Sequence, residues 1–112
     1  MSIARKLQIP NNQTIRLINA PAGFKIDAPT NPGAGSLLLF ATDIKTLMRH
    51  GRPLFAAAKQ DKLVWIAYPK AGKLGTDLNR DKLADAVRSF GIQPVRLVSL
   101  DDTWSAMRFR PA

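Results

Sequence analysis

The chain predicts an α/β fold: a small Rossmann-like, mostly parallel sheet of four or five strands flanked by helices, closing in a C-terminal antiparallel hairpin. Three observations carry this expectation. Apolar segments of strand length, such as Ser36 to Ala41 and Leu63 to Tyr68, alternate with segments whose apolar residues recur at helical spacing. Strands separated by helices imply right-handed crossovers and therefore parallel neighbours. The last fifty residues read as strand, basic glycine-bearing loop, helix, strand, tight turn and strand. At 112 residues the chain is long enough for one domain with a single modest core.

The elements follow in order. Ser2 to Gln8 predicts a short helix with Ile3 and Leu7 on one face, ended by the turn Pro10-Asn11-Asn12. Thr14 to Asn19 is β-branched and apolar enough for a strand, which stops at Ala20-Pro21-Ala22-Gly23. Phe24 to Ile26 reads as a short edge strand, and Asn31 to Gly35 as loop. Ser36 to Ala41 has the continuous apolar character of a strand buried on both faces. Thr42 is placed as an N-cap with Asp43 in the first turn; Ile44, Leu47, Met48, Leu54, Phe55 and Ala58 then keep helical spacing. Gly51 and Pro53 break that pattern, which predicts two short helices or one kinked helix, with Gly51 at C′ and Pro53 at N1.

Leu63 to Tyr68 is the next strand. Asn79 caps a helix whose buried stripe is Leu83, Ala86, Val87 and Phe90 and whose terminator is Gly91. Pro94 to Leu100 and Thr103 to Arg110 then pair across an Asp101-Asp102 turn.

Composition narrows the function. With no cysteine there is no disulfide framework, thiol nucleophile or thiolate metal site. The apolar runs fall far short of the ~20 residues that span a bilayer, and MSIARKLQIP lacks an apolar signal region, so neither a membrane partner nor secretion is expected. The expected compartment is the cytoplasm. Seventeen Lys and Arg face eight acids, all Asp, for a net charge of +9. That field favours anionic partners: a phosphorylated small molecule first, a nucleic acid as the alternative. Aromatic interleaving of the kind that stacks bases is sparse, since Phe40 and Trp65 sit in apolar strands.

The polar clusters fall just after predicted strands or before helices, positions that share one rim of an open sheet. Tyr68, Lys70, Gly72, Lys73, Gly75, Thr76 and Asp77 form a Gly/Lys loop feeding a helix start, where lysines add charge and glycines permit close backbone approach. The loop lacks the Gly-Lys-Ser/Thr ending of a Walker A motif. Asp101, Asp102 and Trp104 follow a strand, with either carboxylate placed to orient ligand hydroxyls. Asn19 and Gly23 supply the opposing loop, and Thr42-Asp43 completes the rim. His50 stands alone at a helix end, where a cation suits the dipole, and reads as a surface residue.

Two resemblances bear on these segments. The order of elements resembles the class I methyltransferase form of the Rossmann-like fold with its middle removed. LINAPAGF (residues 17–24) stands where such enzymes carry a glycine-rich cofactor loop, yet Gly23 is its only glycine, and Asp27 is the nearest acid for a ribose. No cofactor is therefore carried over. LINAPAGF, WIAYPK followed by TDLNRD, and PVRLVSLDDTWSAMRFRP together resemble the DUF3052-type family of small uncharacterised bacterial proteins. That resemblance implies a single α/β domain and brings no activity. The expectation is a non-catalytic binding module for an anionic, phosphate-bearing ligand. The alternatives are nucleic-acid binding, a methyltransferase-like enzyme, and a protein-interaction module using a strand edge.

Overall fold

The computed structural model describes residues 2–71 and 73–112. Strands β1 (Ile15–Ile18), β2 (Ser36–Phe40), β3 (Val64–Pro69), β4 (Ile92–Ser99) and β5 (Trp104–Pro111) form one sheet in the order β1-β2-β3-β5-β4. Helices α1 (Ile3–Lys6), α2 (Ile44–His50), α3 (Arg52–Lys59) and α4 (Arg80–Arg88), with a 3-10 turn at Lys73–Gly75, complete the described elements. The α/β class and the C-terminal hairpin are as expected, but the mostly parallel Rossmann-like sheet is not. Only β1, β2 and β3 pair in parallel; β3–β5 and β5–β4 are antiparallel and carry the longer ladders.

The reason is burial. β5 hides Trp104, Ala106, Met107 and Phe109, whereas β4 is exposed over most of its length. The more apolar arm of the hairpin takes the interior position beside β3, and the arm containing Pro94 and Arg96 is left at the edge. Pro94 lacks an amide donor and is tolerated there. The ladder register shifts between Pro94 and Arg96, the irregularity of a bulge. The strand begins at Ile92 rather than at the expected Pro94, because Ile92 and Gln93 pair with Pro111 and Arg110 of β5.

β3 is buried along its whole length and divides the core into two layers. On one face Leu39, Ile66 and Met107 pack against Leu47, Leu54, Leu83 and Val87 of α2, α3 and α4. On the other, Leu38, Phe40, Trp65 and Trp104 are covered by Leu7 and Ile9 from the N-terminal segment and by Phe24, Ile26 and Ala28. Trp65 Nε1 donates to Leu7 O at 2.9 Å, which satisfies a buried donor and pins the N-terminal segment to the sheet. Phe24 to Ile26 is not the predicted edge strand. Phe24 meets Phe40 edge-on, with ring centroids 4.7 Å apart, and the extra backbone pairing falls at Ile15 and Thr30 instead. This segment contributes side chains to the layer over Phe40 and Trp65 rather than hydrogen bonds to the ladder.

The break between α2 and α3 is where Gly51 and Pro53 place it, with Pro53 in the first turn of α3. Gly51 is not in the left-handed conformation expected of a C′ residue; its φ is −82°. Glycine is required there by space. An added Cβ would lie 2.6 Å from Leu47 O and 2.5 Å from the Phe55 ring. Gly91, with φ +78°, does end α4 as predicted. No described helix is long and apolar enough to cross a membrane.

Gly51→Ala should therefore destabilise the protein by about 1–3 kcal/mol, because the Leu47 carbonyl cannot retreat without disturbing α2. Urea unfolding checks this, with Gly33→Ala as control. There a Cβ would meet only Asn31 Oδ1 at 3.4 Å, so a change within about 0.5 kcal/mol is expected.

Candidate functional site

The parallel strands β1, β2 and β3 end at a common rim, and a cleft of about 530 Å³ opens there between the loop after β1 and helix α2. Its first wall begins at Asn19, which adopts φ +58° and donates Nδ2 to Phe40 O at 2.9 Å. This bond fastens the end of β1 to the end of β2, and Ala20 and Pro21 continue the wall. Trp104, buried edge-on against Phe40 with centroids 5.0 Å apart, closes the cleft from the β5 side.

The opposite wall is α2. Lys45 and Arg49, four residues apart, stand one turn from each other on the helix, with Thr46 beside them and His50 following. Ile44 and Leu47 point into the core and so orient the helix. Thr42 and Thr46 hydroxyls lie 3.4 Å apart at the cleft. Asp43, not Thr42, is the N-cap of α2: its Oδ1 accepts from Thr46 N at 2.7 Å. That backbone hydrogen bond, aided by one from the Thr46 side chain and by the charge of Lys45, holds the Asp43 carboxyl below the usual carboxylate range. Asp77 Oδ1 accepts from Ile44 N at 3.0 Å and serves the same helix end.

Two acids thus serve the backbone of α2, and Asp43 is the single carboxylate in the cleft's described lining. Lys45 and Arg49 take part in none of the ion pairs among the described residues. Two cations, two hydroxyls and an amide around an open cleft are groups that hold a phosphate and orient attached hydroxyls.

Of the residues singled out from the sequence, Asn19 and Trp104 line this cleft with Thr42 and Asp43. The Gly/Lys loop is organised differently. Lys70 N donates to Thr103 O at 2.8 Å and Lys70 Nζ to Ser99 Oγ at 2.5 Å, while Lys73 Nζ donates to the Asp102 carbonyl at 2.6 Å. Both lysines tie the loop to the β4–β5 turn. Thr76 Oγ1 accepts from Leu78 N, and Asp101 Oδ1 accepts from the amides of Thr103 and Trp104 at 2.8 Å each. Gly23 and Gly75 have φ of +81° and +65° with open space around them, so both are needed for their backbone conformation. Tyr68 is buried, which raises its phenol above the ordinary value. Gly72 lies outside the described residues.

Lys45, Thr46 and Arg49 were not distinguishable in the sequence from the solvent face of an amphipathic helix. Their one signal is the i, i+4 spacing of two cations directly after a strand end. His50, read as a surface residue, is half-buried at the cleft. No protein-family model matches the chain, and no curated protein matches it.

Because the Asp43 carboxyl titrates lower in the folded chain than in the unfolded one, its stabilisation is complete above the ordinary carboxylate value and is lost as pH falls through the lower, folded value. Asp43→Ala should lower the melting temperature at neutral pH, and its gap to the parent should narrow as the pH is taken through the acid range. Asp43→Asn, which keeps an N-cap acceptor, should lose less at neutral pH. Melting curves from neutral to strongly acidic pH check both.

Proposed function

We propose that the protein is a non-catalytic binding module for a small phosphate-bearing ligand, held in the rim cleft between α2 and the loop after β1. The observation that carries this reading is the pair Lys45 and Arg49, one turn apart, lining a cleft and absent from the described ion pairs. In this reading both cations neutralise phosphate oxygens, Arg49 by its two-pronged guanidinium and Lys45 as a point charge. Thr42, Thr46 and the Asn19 carbonyl oxygen take the ligand's hydroxyls. Trp104 provides an apolar floor, and His50 lies at the mouth. The net charge of +9 favours the approach of anions to the whole molecule.

The predicted contribution of Lys70 and Lys73 becomes indirect: they hold the β4–β5 turn, and with it Trp104, in place. Relationship to the DUF3052-type proteins is part of the same proposal and rests on the LINAPAGF, WIAYPK and SLDDTW segments. A phosphorylated metabolite and a cysteine-free chain both fit the cytoplasm.

Isothermal titration with pyrophosphate and with a panel of nucleotides and sugar phosphates tests the reading. Lys45→Ala and Arg49→Ala should each weaken a hit by roughly tenfold, the loss expected for one charge-assisted contact. Lys70→Ala with Lys73→Ala should change it much less. If no compound binds saturably, or if the Lys45 and Arg49 variants bind like the parent, the proposal fails. A response to RNA that collapses between low and moderate salt, with none to small phosphates, would favour the nucleic-acid alternative instead.

A further inference from the structure

The opposite pole of the sheet holds a larger cleft, of about 720 Å³, within the ordinary range of roughly 300–1,000 Å³ for small-molecule sites. It lies where the N-terminal segment passes the starts of β1, β2 and β3 and the end of β5. The segment is a firm wall, because Leu7 and Ile9 are buried and Leu7 O accepts the Trp65 indole hydrogen. Asn12 and Gln13 bring amides to it, and Thr14 and Ser36 bring hydroxyls.

Two cations line the same cleft, Lys62 and Arg108. Neither takes part in an ion pair among the described residues. The neighbouring carboxylate, Asp61, accepts from Arg110 with both oxygens, each at 2.8 Å, and acts on Arg108 only through its charge, without a hydrogen bond among the described residues. Arg108 is the more telling of the two. Its Nη1 donates to Gln8 Oε1 at 2.9 Å, and its Nε is buried with no acceptor. A buried guanidinium donor without a partner is costly, and native structures seldom leave one without a reason. With Nη1 engaged, the remaining edge of the guanidinium is the Nε/Nη2 fork, whose spacing matches the two oxygens of a planar carboxylate. Gln8 is exposed, sits at φ +60°, and offers a neutral amide oxygen in the position of a placeholder.

We infer that this pole is a second binding site, distinct from the rim cleft, for a small polar carboxylate. Arg108 grips the carboxylate after a modest movement that opens Nε, and Lys62 neutralises a second anionic group. The amides of Asn12 and Gln13 and the hydroxyls of Thr14 and Ser36 read hydroxyl or amide substituents on the ligand. A hydroxylated di- or tricarboxylate has this combination of groups. The inference does not depend on the rim cleft, which shares none of its lining residues.

Titration of the 15N-labelled full chain with sodium citrate, followed by backbone amide shifts, tests it. The expected result is saturable movement of the Asn12, Gln13, Thr14, Ser36 and Leu63 amides. Arg108→Lys, which keeps the charge and removes the fork, should weaken citrate by about tenfold, and Lys62→Gln by about fivefold. Lys62 is exposed, so that variant tests the site even if a change at Arg108 prevents folding. The inference is overturned if citrate moves none of these amides, or if saturable shifts survive both substitutions. A pyrophosphate titration that moves the same amides at lower concentration than citrate overturns the carboxylate assignment. Shifts confined to Thr42 to His50 in that titration bear on the rim cleft alone.

Discussion

Every residue of β3 is buried, and this single constraint organises the rest of the molecule. A central strand with two apolar faces needs a cover on each, and the chain has helices enough for one. α2, α3 and α4 take the first face. The second is closed by a four-residue helix, the segment that follows it, and the proline-rich stretch around Phe24 to Ala28. Such irregular covering works because its backbone polar groups find partners. Trp65 donates to Leu7 O, and Asp27 accepts from Ala4 N at 2.9 Å. Together these bonds anchor the N-terminal segment at both ends of its short helix.

The two clefts follow from that arrangement. On the rim where the parallel strands end, the chain turns from β2 directly into α2, and two aspartates satisfy the exposed amides of that helix. The helix is thereby held with Lys45 and Arg49 at the cleft and Leu47 in the core. At the other pole the pinned N-terminal segment stands off from the strand starts and leaves a polar hollow beside Arg108. Eight aspartates cannot match seventeen Lys and Arg, and several are spent on helix caps and turns. The surplus charge consequently stays at sites where anions can reach it.

The local elements were legible because their signals are local. SLLLFA reads as a buried strand from its own residues, and Asn79 caps α4 by accepting from Lys82 N at 2.8 Å, three residues away. Gly91 ends that helix with its own positive φ. Gly51 was legible as a break but not for the right reason. Its role depends on the Leu47 carbonyl and the Phe55 ring, which a φ argument does not see. The rim was legible as a location, since loops after parallel strands share one end of the sheet. The side chains that line its cleft were less so. Lys70 and Lys73 look like anion ligands in the sequence, yet their hydrogen bonds reach residues 99 and 102, twenty-nine positions away in each case.

By itself, then, the sequence determined the α/β alternation, the caps and terminators, the positive field and the end of the sheet where polar loops gather. All of these depend on propensity, periodicity or composition, which are properties of short windows. Tertiary structure alone decided that β5 inserts between β3 and β4, because strand order is settled by which arm of the hairpin buries more apolar surface against β3. It also decided which cations are engaged and which remain available. That outcome depends on acceptors supplied from distant segments, as Asp61 does for Arg110 and Gln8 for Arg108.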